Sequence, residues 1–308
     1  LSNLDVDVVE IGDLNELIMH LTGNELRQNG QNITVDEHYT TIMKQLDEKL
    51  CKRSTDLEQE LFSFAKTTHD LDIQDIEKRK NSAKSSRDKG DYYSSASFCF
   101  GLNIQFQYEL NKAHNLTPSQ IEQEKSSLEH SIRVVEQRAD NEVITTISDL
   151  QTTIVVKERL SEAQKLLSEM NESSDKNYVL AYAHERLYSA ISWTQFYVME
   201  GREFSVDDDA LKESCYQKIA QGNERYQYAG IYLPVQRISY IQEKITDAQR
   251  YLEVGEYELC LVKASQAKAE SSSILSSLGL TNATFQISLD RKMQAVEHLI
   301  VDQSNHGI

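Results

Sequence analysis

The residue types that most often perform catalysis or bind metals are present in this sequence, but they are scattered. None of the eight histidines belongs to an HExxH pair or to another metal-ligand spacing. The glycine-rich patterns that hold nucleotide phosphates, GxGxxG and GxxxxGK followed by Ser or Thr, do not occur. Asp207, Asp208 and Asp209 precede a predicted helix, where carboxylates are typical helix-capping residues. The sequence therefore predicts no catalytic residue, no cofactor and no metal site.

The four cysteines occur singly, without the CxxC spacing of zinc sites or thioredoxin-type redox sites. Each lies within an apolar helical pattern, which favours a small buried hydrophobic side chain over a reactive thiol. The sequence leaves open whether any two of them are bonded. The cysteines are Cys51, Cys99, Cys215 and Cys260.

Four Asn-x-Ser/Thr sequences provide candidate acceptors for N-linked glycosylation. All four fall in predicted loops or at predicted helix ends, which permits an extracellular setting without requiring one. The acceptor residues are Asn32, Asn115, Asn171 and Asn282.

Acidic residues outnumber basic ones, with 49 Asp and Glu against 32 Lys and Arg and a net charge of −17 at pH 7. A phosphate backbone would be repelled, so nucleic acid and anionic membrane surfaces are not expected as general partners. No run approaches the roughly 20 apolar residues of a membrane span. With only 2 prolines and 11 glycines, the chain is too poor in turn residues for a sandwich, a barrel or a doubly wound α/β fold.

The chain divides into a short opening segment and a long helical region. Residues 5–11 alternate as a half-buried strand would, and residues 14–22 form an apolar face that ends at Gly23. We therefore predict a strand-helix remnant over 1–23, a linker over 24–33 and a helical-repeat domain over 34–308. The predicted fold class is all-α, an antiparallel array of long helical hairpins with a short β-α remnant.

After Pro118 one apolar stripe continues for about 50 residues, which predicts a long helix with a bend near Ile154.

Three hairpins resemble one another when they are aligned on a tyrosine, at Tyr92, Tyr178 and Tyr257. In each, an apolar helix ends at Gly or at a polar turn, the aromatic opens the next helix, and small residues follow. The spacing near 80 residues predicts repeats of one hairpin plus two more helices. We interpret the three tyrosines as packing contacts between hairpin helices, and the alternative is an aromatic contact to a bound peptide.

The segment VDVVEIGDLNELIMHLTG, Val6 to Gly23, resembles the closing strand and helix of the proteolytic domain of S16 (Lon-like) serine peptidases. Residues 34–57 and 91–103 resemble the helical region that follows the protease in archaeal members without a fused ATPase. The resemblance implies that the catalytic Ser and Lys precede Leu1, so this chain itself is expected to be non-catalytic. It also implies a membrane-attached or extracytoplasmic parent protein.

The sequence thus favours the helical region of an archaeal Lon-like protease that presents or restricts substrates or holds protomers together. Its expected partners are protein or peptide substrates and its own protease domain. The alternative is a free-standing helical-repeat adaptor unrelated to proteolysis. A third reading is weaker: Arg291 and His298 resemble the Arg-x6-His motif of HEPN-type ribonucleases, although Lys292 departs from it.

Overall fold

The computed structural model describes residues 11, 14–23, 37–64, 73–199, 203 and 207–305. The regular elements in these residues are helices, and a single antiparallel β-bridge joins Thr146 to Glu203. The all-α prediction is therefore confirmed. The predicted strand at residues 5–11 lies, apart from Ile11, outside the described residues. None of the described helices is long and apolar enough to cross a lipid bilayer.

The chain divides into two compact units. The first combines residues 1–35 with residues 279–308 and contains α1 (Leu14–Thr22) and α11 (Asn282–Asn305). As predicted, α1 ends at Gly23, whose φ of +72° lies in the left-handed region. The sequence assigns α11 to the helical-repeat domain, whereas its contacts group it with the first unit.

The second unit, residues 36–278, contains the other nine described α-helices in three consecutive groups of three. In each group the third helix packs against both of the others. We call these groups the first, second and third repeats. The first repeat is α2 (Glu37–Phe64), α3 (Ile73–Asp88) and α4 (Tyr92–His114); the second is α5 (Pro118–Asp140), α6 (Ile147–Ser168) and α7 (Lys176–Trp193); the third is α8 (Asp208–Tyr232), α9 (Val235–Val254) and α10 (Tyr257–Ser277).

The prediction of a hairpin plus two more helices per repeat was wrong, since each period holds three helices. The described helices of this unit have 16 to 28 residues, so three of them with their turns fill about 80 residues. The hairpin turns themselves follow the prediction in the first and third repeats. Gly90 and Gly255, with φ of +78° and +85°, adopt the left-handed conformation that ends α3 and α9.

The predicted long helix after Pro118 is interrupted earlier than expected. The break lies at residues 141–146, between α5 and α6, and not near Ile154. Thr146 and Asp149 form a reciprocal capping box that starts α6, and the backbone N–H of Asn141 closes α5. Val143, which continues the apolar stripe in the sequence, is 75 % exposed in the connection. A local capping signal thus overrides the apolar periodicity.

Each repeat buries its own apolar core, and the first and third repeats are also cross-linked. Disulfides join Cys51 on α2 to Cys99 on α4, and Cys215 on α8 to Cys260 on α10. The Cα–Cα distances of 4.9 and 5.9 Å are ordinary for disulfides. Cys99, Cys215 and Cys260 are buried, as predicted, whereas Cys51 is only half-buried. In both repeats the disulfide connects the first helix to the third.

Candidate interaction surface

The three tyrosines singled out by the sequence all lie in the first turn of a helix, but their surroundings differ. Tyr92 and Tyr257 are the first residues of α4 and α10, and both are half-buried. Tyr92 packs against the core of the first repeat. Tyr178, the third residue of α7, is 45 % exposed, and its ring lies edge-on to that of Tyr108, 5.7 Å away. The surroundings of Tyr178 suit a contact surface, whereas Tyr92 lies against apolar side chains.

We expect Tyr92→Ala to lower the melting temperature by several degrees, and Tyr178→Ala to lower it by much less. A fully buried aromatic contributes about 3–5 kcal/mol, so the half-buried Tyr92 is expected to contribute about 1–3 kcal/mol. At about 2–4 °C per kcal/mol, the shift is readily measured by circular dichroism or calorimetry. Equal shifts for the two variants would contradict this assignment.

Tyr178 belongs to a row of rings formed where α4 and α7 meet. Its ring centroid lies 6.1 Å from that of Tyr182, one turn further along α7. Tyr182 in turn meets Phe100 of α4 edge-on at 6.3 Å. Edge-to-face and tilted pairs at these separations are favourable because the ring edge is positive and the face negative. The two helices therefore present their aromatic side chains as one continuous row.

Basic side chains lie over the rings at both ends of this row. The Lys112 ammonium is 5.1 Å from the Tyr108 ring centroid. The Arg186 guanidinium is 5.1 Å from that of Phe100 and 5.3 Å from that of Tyr182. Cations within about 6 Å of a ring centroid are attracted to its face. We call the set of these residues the aromatic–cation strip: Phe100, Tyr108, Lys112, Tyr178, Tyr182 and Arg186.

A cavity of about 160 Å³ adjoins the strip at its arginine end. It lies between the first and second repeats and shares Phe100 and Arg186 with the strip. We call it the arginine pocket. Its walls include Tyr93, Phe100, Arg159, Arg186, Ser189 and Trp193.

The two arginines of this pocket have few acidic partners. Arg159 donates to Ser189 Oγ at 3.0 Å and to the Val155 carbonyl at 3.2 Å, and its guanidinium stacks 4.8 Å from the Trp193 ring centroid. Among the described residues it forms no ion pair. Burial, followed by the positive charge of Arg186, lowers the pKa of Arg159 below its usual value. The pocket thus holds a guanidinium group at an energetic cost to the fold.

The Nη2 and Nε atoms of the Arg186 guanidinium differ in their hydrogen bonding. Its Nη2 lies 2.9 Å from Glu162 Oε2 and 3.1 Å from the Tyr182 hydroxyl. Its Nε is buried and has no hydrogen-bond acceptor in the described part of the chain. Buried donors are nearly always paired in folded proteins, so an unsatisfied one indicates a position where an acceptor is expected.

A buried ion pair fixes α7, the helix that carries much of the strip. Arg53 Nε of α2 donates to both carboxylate oxygens of Glu185, at 2.8 and 3.0 Å, and Glu185 is fully buried. The Arg53 guanidinium also stacks 4.5 Å from the Tyr188 ring centroid and contacts His184 Nδ1 at 3.1 Å. These contacts fix the rotation of α7 about its axis, which determines the direction in which Tyr178 and Tyr182 point.

The remaining candidate residues lie apart from this surface or outside its chemistry. Asn115 and Asn171 are exposed, Asn115 has a φ of +47°, and Asn171 accepts a hydrogen bond from Lys176 Nζ at 3.2 Å. Asn32 and the side chain of Asn282 lie outside the described residues. Arg291 and His298 are seven residues apart on α11, in the first unit.

Asp47, Cys51 and Cys99 bring three ligand-type atoms within 4.8 Å of one another. Metal ions bind the thiolate form of cysteine, whereas these two sulfurs are joined in a disulfide. The Asp47 carboxylate is buried and accepts a hydrogen bond from Arg87 Nε at 2.6 Å. We assign no metal to this cluster.

Sequence reasoning identified Tyr178 but missed Arg159 and Arg186. The only local signal is the i, i+4 spacing of Tyr182 and Arg186 on α7. The partners of both arginines on α4 and α6 depend on helix packing, which the sequence pattern does not specify. Comparisons with protein-family models, with curated proteins and with solved structures found no match to this chain.

Proposed function

We propose that this chain is a non-catalytic helical region that binds protein or peptide segments through the aromatic–cation strip. The observation that carries the proposal is the row of rings with basic side chains stacked over it, in a chain of net charge −17. Tyr178 is the exposed member of the row, and the other three rings are half-buried. Tyr and Arg are enriched at the centres of protein interfaces, where they provide large rigid contacts and charge-assisted hydrogen bonds. A segment with carboxylates and aromatic or aliphatic side chains complements this surface.

The dimensions of the strip favour a short extended segment. Tyr178 and Arg186 are eight residues apart on α7, which corresponds to about 12 Å of helix at 1.5 Å per residue. An extended peptide rises about 3.3 Å per residue, so three or four of its residues span that distance. Stacked helical repeats commonly bind peptides along such faces.

The resemblance of residues 6–23 to the closing segment of S16 peptidases supplies the setting that we propose. The chain would lie beside the proteolytic domain of an archaeal Lon-like protease and present substrates to it or restrict their access. The two disulfides support an extracytoplasmic compartment, since disulfides persist in oxidising environments. The same strip would serve a free-standing adaptor. Fusion to an S16 protease domain distinguishes the two, because only the first role predicts an altered choice of cleavage sites.

The test is binding of fluorescein-labelled β-casein, an unfolded acidic substrate, followed by fluorescence anisotropy. We expect Tyr178→Ala to weaken binding about tenfold, the loss typical of an interface residue worth about 1.4 kcal/mol. The matched control is Tyr228→Ala, because Tyr228 on α8 is similarly exposed, at 50 % against 45 %, and lies outside the strip.

Unchanged binding by Tyr178→Ala, or equal weakening by Tyr228→Ala, would contradict the proposed surface. The same mixtures test the absence of catalysis. We expect the casein to stay intact on a gel after prolonged incubation with the chain. Cleavage that depends on a serine or lysine of this chain would overturn the non-catalytic role.

A further inference from the structure

The arginine pocket contains more positive than negative charge. The guanidinium groups of Arg159 and Arg186 line it. Among the described residues, Arg186 pairs with the carboxylate of Glu162, and Arg159 pairs with no carboxylate. Glu162 and the neighbouring Glu158 also lie 3.7 and 3.6 Å from the Lys263 ammonium, so their charge is shared with a third cation. The pocket is thus a local cationic site in a strongly acidic chain.

The two arginines that line the pocket carry hydrogen-bond donors that are already held in position. The Nε of Arg186 is buried without an acceptor in the part of the chain that the structure describes. The guanidinium of Arg159 is fixed by Ser189, by the Val155 carbonyl and by the Trp193 ring, and these contacts use its Nε and Nη1. Within the described part of the chain, its Nη2 group donates to no acceptor. Donors that are fixed before binding lose little conformational entropy when an anion arrives.

We propose that the arginine pocket binds a carboxylate group carried on a small apolar residue, such as the C-terminal residue of a peptide. Arginine donors match the planar, two-oxygen geometry of a carboxylate. The ring of Trp193 and the aliphatic side chains of Leu46 and Leu50 provide apolar walls for the attached group. One bound monoanion balances the unpaired charge of Arg159, whereas a phosphate dianion would exceed it.

The arginine pocket adjoins the aromatic–cation strip, and a role for the pocket in peptide binding rests on the proposed function. Phe100 and Arg186 belong both to the strip and to the pocket. A peptide that lies along the rings with its C-terminus toward Arg186 would place its terminal carboxylate beside Arg159. The chain would therefore select free C-termini, which are the ends that a peptidase generates.

The experiment is a calorimetric titration of the full chain with N-acetyl-alanine, whose carboxylate is free, and with N-acetyl-alaninamide, which lacks the charge. We expect the acid to bind at least about tenfold more tightly than the amide. Arg159→Gln is expected to abolish that preference, and Arg159→Lys to reduce it, because lysine keeps the charge but loses the fork of donors. Inorganic phosphate is expected to bind more weakly than the acid.

The matched control is Arg250→Gln. Arg250 also stacks on an aromatic ring, 4.8 Å from the Tyr251 centroid, but it pairs with Asp247 and lies outside the pocket. This variant should bind N-acetyl-alanine as the unaltered chain does. Equal affinity for acid and amide, phosphate binding as tight as that of the acid, or an unaffected Arg159→Gln variant would overturn the proposal. A melting scan of each variant verifies that it is folded.

The outcomes separate this inference from the proposed function. If Tyr178→Ala weakens casein binding while acid and amide bind alike, the strip binds peptides and the carboxylate pocket is refuted. If N-acetyl-alanine binds in a manner that depends on Arg159 while casein does not bind, the pocket is supported and the peptide strip is refuted.

Discussion

Glu185→Gln is expected to destabilise the chain by about 3–5 kcal/mol, because it leaves the charge of Arg53 buried without its counter-ion. Glu185 is fully buried, and the Arg53 side chain is only 18 % exposed. The loss is measured as a lower urea midpoint with an unchanged slope. Since the pair joins α2 of the first repeat to α7 of the second, the variant should also weaken binding at the strip.

Asp56→Asn is the matched control for this prediction. It breaks the ion pair between Lys52 and Asp56, which lie on α2 together with Arg53. The side chains of Lys52 and Asp56 are 75 % and 57 % exposed. Exposed pairs contribute about 0–1 kcal/mol, so a small change is expected. The double variant Arg53→Met/Glu185→Leu should recover much of the stability, since it removes both charges together. A Glu185→Gln loss no larger than that of Asp56→Asn would contradict the assigned role.

The same ion pair predicts a dependence of stability on pH. Burial raises the pKa of Glu185, but hydrogen bonds from His184 and Arg53 outweigh it and hold the pKa below the ordinary value of 4.5. The carboxylate therefore contributes its full stabilisation above pH 4.5, and this contribution is lost as the pH falls through the folded-state pKa. Consequently, the stability difference between the unaltered chain and Glu185→Gln should shrink below pH 4.5. A constant difference across that range would contradict the prediction.

Removal of either disulfide is expected to cost about 4 kcal/mol. The bonded cysteines are 48 residues apart in the first repeat and 45 apart in the third, and loops of this size give similar values in the chain-entropy model. The variants are Cys51→Ser/Cys99→Ser and Cys215→Ser/Cys260→Ser, and guanidinium unfolding measures their stability. Because each bond lies within one repeat, hydrogen exchange should increase mainly in the repeat that has lost its bond.

Reductant supplies the control for the disulfide prediction. It should destabilise the unaltered chain by about as much as both pairs of substitutions together. It should leave the variant without cysteines unchanged. If reduction and substitution alter the stability by less than about 1 kcal/mol, the bonds contribute little and the packing of the helices is sufficient by itself.

Several helices of this chain are specified by nearby residues alone. The apolar spacing of residues 235–254 predicts one helix, and α9 in the structure has the same bounds, Val235–Val254. The reason is local: Ile238, Ile241 and Ile245 form one stripe that is fully buried, and Gly255 supplies the left-handed residue that ends the helix. Apolar spacing alone does not locate the break between α5 and α6. Periodicity continued across it, whereas the capping box of Thr146 decided where α6 begins.

The sequence by itself determined the all-α class, the bounds of α9, and the placing of Tyr92, Tyr178 and Tyr257 in the first turn of a helix. The reason is that caps, turn residues and apolar stripes act within one or two helical turns. Only the tertiary structure decided that Cys51 meets Cys99, that Arg53 meets Glu185 across 132 residues, and that Arg159 and Arg186 line one pocket. Those pairings depend on how helices rotate and pack against each other. Many packings satisfy the same apolar pattern, and burial of all the side chains together selects one of them.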